Sequence, residues 1–305
     1  QFASSQIYFC LTEIAEDFQI DSAMAQATED TPRESATPYI TKKQYESKKY
    51  TWKEDKKSKV LLFQFNICRN KEGKKYERRT SEREEHHLKK CFENLVGGVD
   101  FKAHRNRKVT ELPAIFDNEF QDDKCNMEYN CFIFIVLSFG ENDRIFSYDN
   151  EITITNFIEP IKKKQSMALK PKLFFIQNGD ERLIRTVKGE ILKGKPVEFE
   201  HRKVPQESDF FIMQSIIPES LFPDPMFSNK FECIFMKDLI ETVKDKRENP
   251  GERPLDIHQL SLRINARVNK RLTSKKPNLD PPMYFDRLPI PEVTSTLTKV
   301  LYFPC

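Results

Sequence analysis

The amino-acid sequence predicts an α/β protein built on a mostly parallel central sheet with helices on both faces. Two observations predict it. Strand-sized runs such as VLLFQFNI (residues 60–67), CFIFIVL (131–137) and KLFFIQ (172–177) are almost uninterruptedly apolar, as strands covered on both faces are. Segments with helical spacing alternate with them, and a β-α-β-α-β order requires a sheet with helices packed on both sides.

The elements follow in chain order. Residues 1–45 are weakly patterned, and the polar, small-residue-rich stretch 21–38 reads as a disordered lead-in. The lysine-heavy run KKYTWKEDKKSK is broken by acids, so it reads as a solvated approach to the first strand and not as a nucleic-acid patch. SEREEHHLKKCFENL (81–95) is a helix. Ser81 and Glu84 have capping-box spacing, and Leu88, Cys91, Phe92 and Leu95 share one face. His86 and His87 are adjacent, point in different directions on a helix, and do not share a metal ion. Gly97-Gly98 ends this helix, VDFKAHRN forms a second strand, and a helix over 109–120 leads to the buried strand at 131–138. RIFSYDNEITI forms a hairpin turning at Asp149-Asn150, and a helix over 155–164 precedes the strand at 172–177.

Periodicity is lost over residues 182–207, which read as a linker. Beyond it come a strand (DFFIMQSII), two helices (KFECIFMKDLIETVKD and DIHQLSLRINARVNK) and a final strand, KVLYF, at Lys299, Val300, Leu301, Tyr302 and Phe303. The two halves are expected to share one sheet.

Composition narrows the function classes. The 305 residues are 38% hydrophobic and 32% charged with a formal net charge of +3, so no polyanionic partner such as nucleic acid is implied. No apolar run approaches the roughly 18 residues of a membrane span. The chain starts at Gln1 without a basic-then-apolar leader, and reads as a piece of a longer product. Its seven cysteines are odd in number and lack C-x-x-C spacing. That pattern fits reduced thiols of a cytoplasmic protein, with neither a disulfide frame nor a zinc site, and no cofactor is expected. His104, His201 and His258 have no carboxylate or cysteine at a suggestive spacing, and read as ordinary surface or interface residues.

Several segments together resemble the caspase family, the nematode cell-death caspases in particular. Asp209-Phe210, RINARVNK and the ending IPEVTSTLTKVLYF are similar to a caspase small subunit. CFIFIVLSFGENDRIFSYDNEI is similar to the large-subunit strand that ends in Ser-His-Gly, and KPKLFFIQNGDE to the strand that ends in Gln-Ala-Cys-Arg-Gly. The resemblance spans about residues 50–303 in the family's order. It implies a caspase-like sheet with a large-subunit-like half over 46–181 and a small-subunit-like half over 208–305.

The family's chemistry needs a cysteine thiolate and a nearby histidine that manages protons. By the resemblance, Phe139 stands at the histidine position and Gly179 at the cysteine position, while Gly140 and Gln177 are retained. Two arginines help such enzymes hold an aspartate side chain. Ser58 stands where one is expected and Asp224, in LFPDP, where the other is. An aspartate there would repel an acidic substrate group. No aspartate lies between residues 181 and 208, so the linker is expected to stay uncut.

The resemblance therefore implies a catalytically inactive homologue. Its expected partner is a competent caspase or its zymogen, engaged through the C-terminal strand Lys299–Phe303, with a homodimer as the alternative use of that strand. The expected effect is inhibition of zymogen autoactivation. An activating pseudoenzyme, and more remotely a cysteine protease with rearranged residues, are the competing readings.

Overall fold

The uninterrupted apolar runs form the middle of one sheet. The computed structural model describes residues 47–78, 82–180, 208–217, 234–249, 254–274 and 290–304. In chain order the strands are β1 (Ser58–Gln64), β2 (Ile67–Arg69), β3 (Lys75–Glu77), β4 (Val99–Arg105), β5 (Phe132–Glu141), β6 (Arg144–Phe146), β7 (Glu151–Thr153), β8 (Lys172–Gly179), β9 (Phe210–Ser215) and β10 (Glu292–Ser295). The helices are α1 (Glu82–Val96), α2 (Leu112–Glu119), α3 (Asp123–Met127), α4 (Ile154–Lys162), α5 (Ile234–Glu248) and α6 (Ile257–Ser274).

The main sheet has the order β10-β9-β8-β5-β1-β4. Its neighbours run parallel except for β10, which is antiparallel to β9. Pairing of β8 with β9 joins the two halves in one sheet, as expected. The predicted hairpin forms too, with β6 antiparallel to β7 and to the end of β5.

Alternation within the strands sorts the core into two layers. Val60, Leu62, Ile133, Ile135, Leu173, Phe175, Phe211 and Met213 face α1, α5 and α6. Leu61, Phe63, Phe132, Phe134, Phe174, Ile176 and Phe210 face α2 and α4. On this second face Phe134 stacks on Phe174 with ring centroids 4.5 Å apart, and Phe174 on Phe210 at 5.9 Å, both pairs at 13°. Both helical faces are local consequences of sequence. In α1, Leu88, Cys91, Phe92 and Leu95 are buried as their spacing predicts. Helix α4 starts at Ile154, with the Thr153 hydroxyl accepting from the Asn156 amide. Among the described residues no helix is long and apolar enough to cross a membrane.

One predicted element is corrected. Lys299–Phe303 does not form the edge strand of the sheet. It makes only isolated bridges, Lys49 with Val300 and Asp256 with Tyr302. Its backbone pairs outside the sheet: the Tyr50 amide donates to the Val300 carbonyl at 3.1 Å, and the Phe303 amide to the Leu255 carbonyl at 2.9 Å. Leu301 and Phe303 are 1% and 4% exposed, because both side chains complete the layer under α6. The edge is β10, a strand the sequence does not advertise because its four residues, EVTS, hold one apolar side chain. The expected linker at 182–207 lies outside the described residues, as does Ser81 of the predicted capping box.

A buried carboxylate ties three separate segments at the start of β9. Asp209 is fully buried in a left-handed conformation, φ 69°. Its Oδ1 accepts from the Tyr50 hydroxyl at 2.5 Å and the Thr298 hydroxyl at 2.6 Å, and its amide donates to the Thr296 carbonyl at 2.9 Å. Burial, and then the bond to Asp209, raise the Tyr50 phenol above its ordinary pKa near 10. The phenol therefore stays protonated in the fold at a pH where the unfolded chain ionises it. The stability this contributes is complete below pH ~10 and is lost as pH rises through the higher folded pKa. Tyr50→Phe is expected to cost about 1–2 kcal/mol in urea denaturation at neutral pH, and to flatten the loss of stability above pH ~10 that the parent chain shows.

Candidate functional site

In open α/β sheets, ligands bind where the carboxyl ends of parallel strands open a crevice. Here that end is formed by β5 and β8, and their register pairs Phe139 directly with Gly179. The two positions that the resemblance assigns to the histidine and the cysteine are thus cross-strand neighbours.

Neither position offers a reactive group. Phe139 is 8% exposed, and its ring packs against Tyr76 with centroids 5.3 Å apart under the β2–β3 ribbon. Tyr76 also contacts Phe146 at 5.2 Å, so Phe139 belongs to an aromatic cluster that seals this end of the sheet. Gly179 is buried without a side chain. Gly140 is retained for a packing reason: a Cβ there would overlap the Arg144 carbonyl oxygen and lie 2.8 Å from Asn178 Cβ.

Among the described residues, amide side chains line the rest of the crevice. Asn178 Nδ2 donates to the carbonyls of Asn142 at 3.2 Å and Arg144 at 3.0 Å. Gln214 Nε2 donates to Asn178 Oδ1 at 2.7 Å and to the Asn142 carbonyl at 3.0 Å. Gln177, 1% exposed, donates through Nε2 to the Ile217 carbonyl at 2.5 Å, and the Asp180 amide donates to the Ile216 carbonyl at 2.8 Å. These bonds join the β5–β6 turn, β8 and the end of β9 into a satisfied network, which is stabilising when complete.

One expected site position separates from the crevice. Ser58 sits at the amino end of β1, opposite Val99. At about 3.3 Å per residue it lies roughly 20 Å along the strand from the carboxyl end, so it does not line this crevice. Its hydroxyl instead approaches the Cys131 thiol, whose pKa burial pushes up to about 12. Asp224 lies outside the described residues.

A residue that sequence reasoning missed is Arg78. It follows β3, its amide donates to the Asn66 carbonyl at 2.8 Å just beyond the carboxyl end of β1, and it is buried. Its Nη2 meets Glu84 Oε1 at 3.3 Å, with the side chains 1% and 4% exposed; Gln64 Nε2 donates to Glu84 Oε2, also at 3.3 Å. The signal was present: Glu84 shares the helical stripe of Leu88, Cys91 and Leu95, and a charge on a buried face requires a buried partner.

Other cysteine and histidine side chains among the described residues pack within the fold. Cys68, Cys91 and Cys131 are buried. His104 departs from its expected surface role: it stacks on Phe63 at 5.2 Å, and burial holds its pKa below the ordinary value against the opposing pull of Glu119. No three His, Cys, Asp or Glu side chains among the described residues are grouped to hold a metal ion.

Fold and crevice define a doubly covered α/β protein with its candidate site at the carboxyl ends of two parallel strands. Residues 62–302 match the family model for the caspase domain, and the chain belongs to the caspase family. It is 28% identical to caspase-7 of Gallus gallus over 224 residues, 71% of this chain and 67% of that protein. It is also 28% identical to caspase-1 of Drosophila melanogaster over 225 residues, 71% of this chain and 64% of the relative. The chain thus spans about two thirds of the length of these relatives. Among solved structures, pro-sf-caspase-1 superposes with a TM-score of 0.64 at 23% identity, covering 85% of this chain and 99% of that one. Caspase-1 from Spodoptera frugiperda superposes at 0.59 with 22% identity, covering 84% and 93%. These two likenesses show the fold.

The Arg78–Glu84 pair generates a test. Arg78→Met leaves a buried carboxylate without its cation and is expected to cost about 3–5 kcal/mol in chemical denaturation. Adding Glu84→Met to it is expected to recover a large part of that loss, since the stranded charge is then removed as well.

Proposed function

We propose that this caspase-family chain is a catalytically inactive homologue that binds a competent caspase or its zymogen and inhibits zymogen autoactivation. The observation that carries the proposal is the pairing of Phe139 with Gly179 at the carboxyl ends of β5 and β8. An acyl-transfer centre needs a nucleophile and a base within hydrogen-bond reach. A phenyl ring and a bare backbone supply neither, and the amides of Asn178 and Gln214 are engaged with one another.

Partner binding requires the sheet and its edge, both of which are intact. The outer side of β10 carries no further strand among the described residues, and Val293, 37% exposed, stands on it. Such an edge presents backbone donors and acceptors to an incoming strand. The pairing surface is therefore assigned to Glu292–Ser295 in place of the expected Lys299–Phe303, whose Leu301 and Phe303 are core residues.

Added to a caspase zymogen from the same organism, the purified chain is expected to slow zymogen self-cleavage in a dose-dependent way. Val293→Glu, at an exposed edge position, is expected to relieve the effect without unfolding the protein. Faster processing would make the chain an activator. Unchanged processing, with no complex in sedimentation at micromolar protein, would remove the proposed partner.

Incubated alone with acidic-P1 peptides, the chain is expected to release no product. Turnover abolished by a thiol alkylator would instead establish a rearranged protease and overturn the inactive assignment.

A further inference from the structure

The run Lys299–Phe303, excluded from the sheet edge, builds one wall of a groove. The groove encloses 590 Å³. Its other wall is the segment before β1, held to the C-terminal run by the Tyr50–Val300 and Val300–Lys48 backbone hydrogen bonds. Trp52, Tyr302, Pro254 and Pro304 supply flat, stiff apolar surfaces, and Gln259 and Lys49 line it as well. Trp52 is half-buried against the core, so its ring is pre-positioned and little entropy is lost when a ligand packs on it.

Each polar side chain on this groove can donate a hydrogen bond: the indole only donates, while the Tyr302 hydroxyl and the Gln259 amide can also accept. The Trp52 indole N–H, the Tyr302 hydroxyl and the Gln259 side-chain amide have no hydrogen-bond partner among the described residues. Among the described lining residues the charged one is Lys49, whose ammonium lies 4.8 Å over the Tyr302 ring, and Lys48 precedes it in sequence. The groove therefore offers rigid aromatic faces, unsatisfied donors and positive charge, and none of its described lining residues carries a carboxylate.

A polyproline II segment is the complement of that set. Its backbone carbonyls have no internal partner, its proline rings are flat and apolar, and it has little conformational entropy left to lose. Aromatic grooves recognise such segments through stacked rings and donors aimed at the carbonyls. The Lys49 charge selects acidic residues beside the prolines. We infer that this groove binds an acidic, proline-rich segment of a partner protein in the polyproline II conformation. The site is separate from β10, and the inference stands independently of the inhibitory function.

The chain has a single tryptophan, so Trp52 fluorescence reports on this groove alone. Titration of the full chain with a blocked peptide of repeating Pro-Pro-Asp is expected to give a saturable change in that emission. The same peptide with every proline replaced by alanine is expected to bind roughly tenfold more weakly or worse, as is the original peptide with Tyr302→Ala. Lys49 is exposed, so Lys49→Glu keeps the fold, and it is expected to reverse the charge preference toward a Pro-Pro-Lys peptide. Absence of a saturable response in the parent chain would overturn the inference. So would equal affinity for the alanine peptide, or an unchanged charge preference in the Lys49→Glu variant.

Discussion

The structure depends on the register between β5 and β8. Both strands are buried along almost their whole length, so no exposed polar face constrains how they slide past each other. The stacked rings of Phe134, Phe174 and Phe210 provide that constraint. A one-residue slip would send each ring to the opposite helical layer. With the register set, β9 is held against β8, the second half joins the first, and Phe139 necessarily faces Gly179. The composition of the crevice is thus a consequence of ring stacking about five residues earlier in each strand.

The crevice poses a physical problem, because the ends of buried strands carry backbone and side-chain polar atoms that need partners. An unpaired buried amide costs about 1–3 kcal/mol. The chain satisfies these atoms with its own amides: Asn178 and Gln214 meet the turn carbonyls at Asn142 and Arg144, and Tyr76 and Phe139 close the apolar side. These polar atoms are consumed internally, which accounts for both the burial of Gln177 and the need for glycine at position 140.

The opposite end of the sheet is organised by charge and hydroxyl contacts. Asp209 gathers Tyr50, Thr296 and Thr298, so the residues after the linker, the segment before β1 and the tail after β10 are anchored at one carboxylate. That anchoring orders the C-terminal run, which then lies over the core and against the segment at 48–52 and not along the sheet edge. Edge strand and aromatic groove are therefore two products of one junction.

The sequence by itself determined the α/β class, the parallel centre, the helices at α1 and α4, the hairpin after β5 and the family resemblance. All of these rest on local pattern: apolar continuity, helical spacing and turn residues act over a few positions and survive without tertiary context. Tertiary structure alone decided which C-terminal segment is the edge strand. KVLYF has strand-forming side chains and EVTS has few, yet Leu301 and Phe303 gain more by burial under α6, while β10 is held by backbone pairing to β9, which is nearly blind to side chains. The same holds for Ser58, assigned to the crevice by alignment and placed by parallel pairing at the far end of β1, and for Arg78, whose partner Glu84 is close only once α1 packs on the sheet. Long-range hydrogen bonds and buried ion pairs join residues that no local pattern relates, and they fix where a side chain ends up.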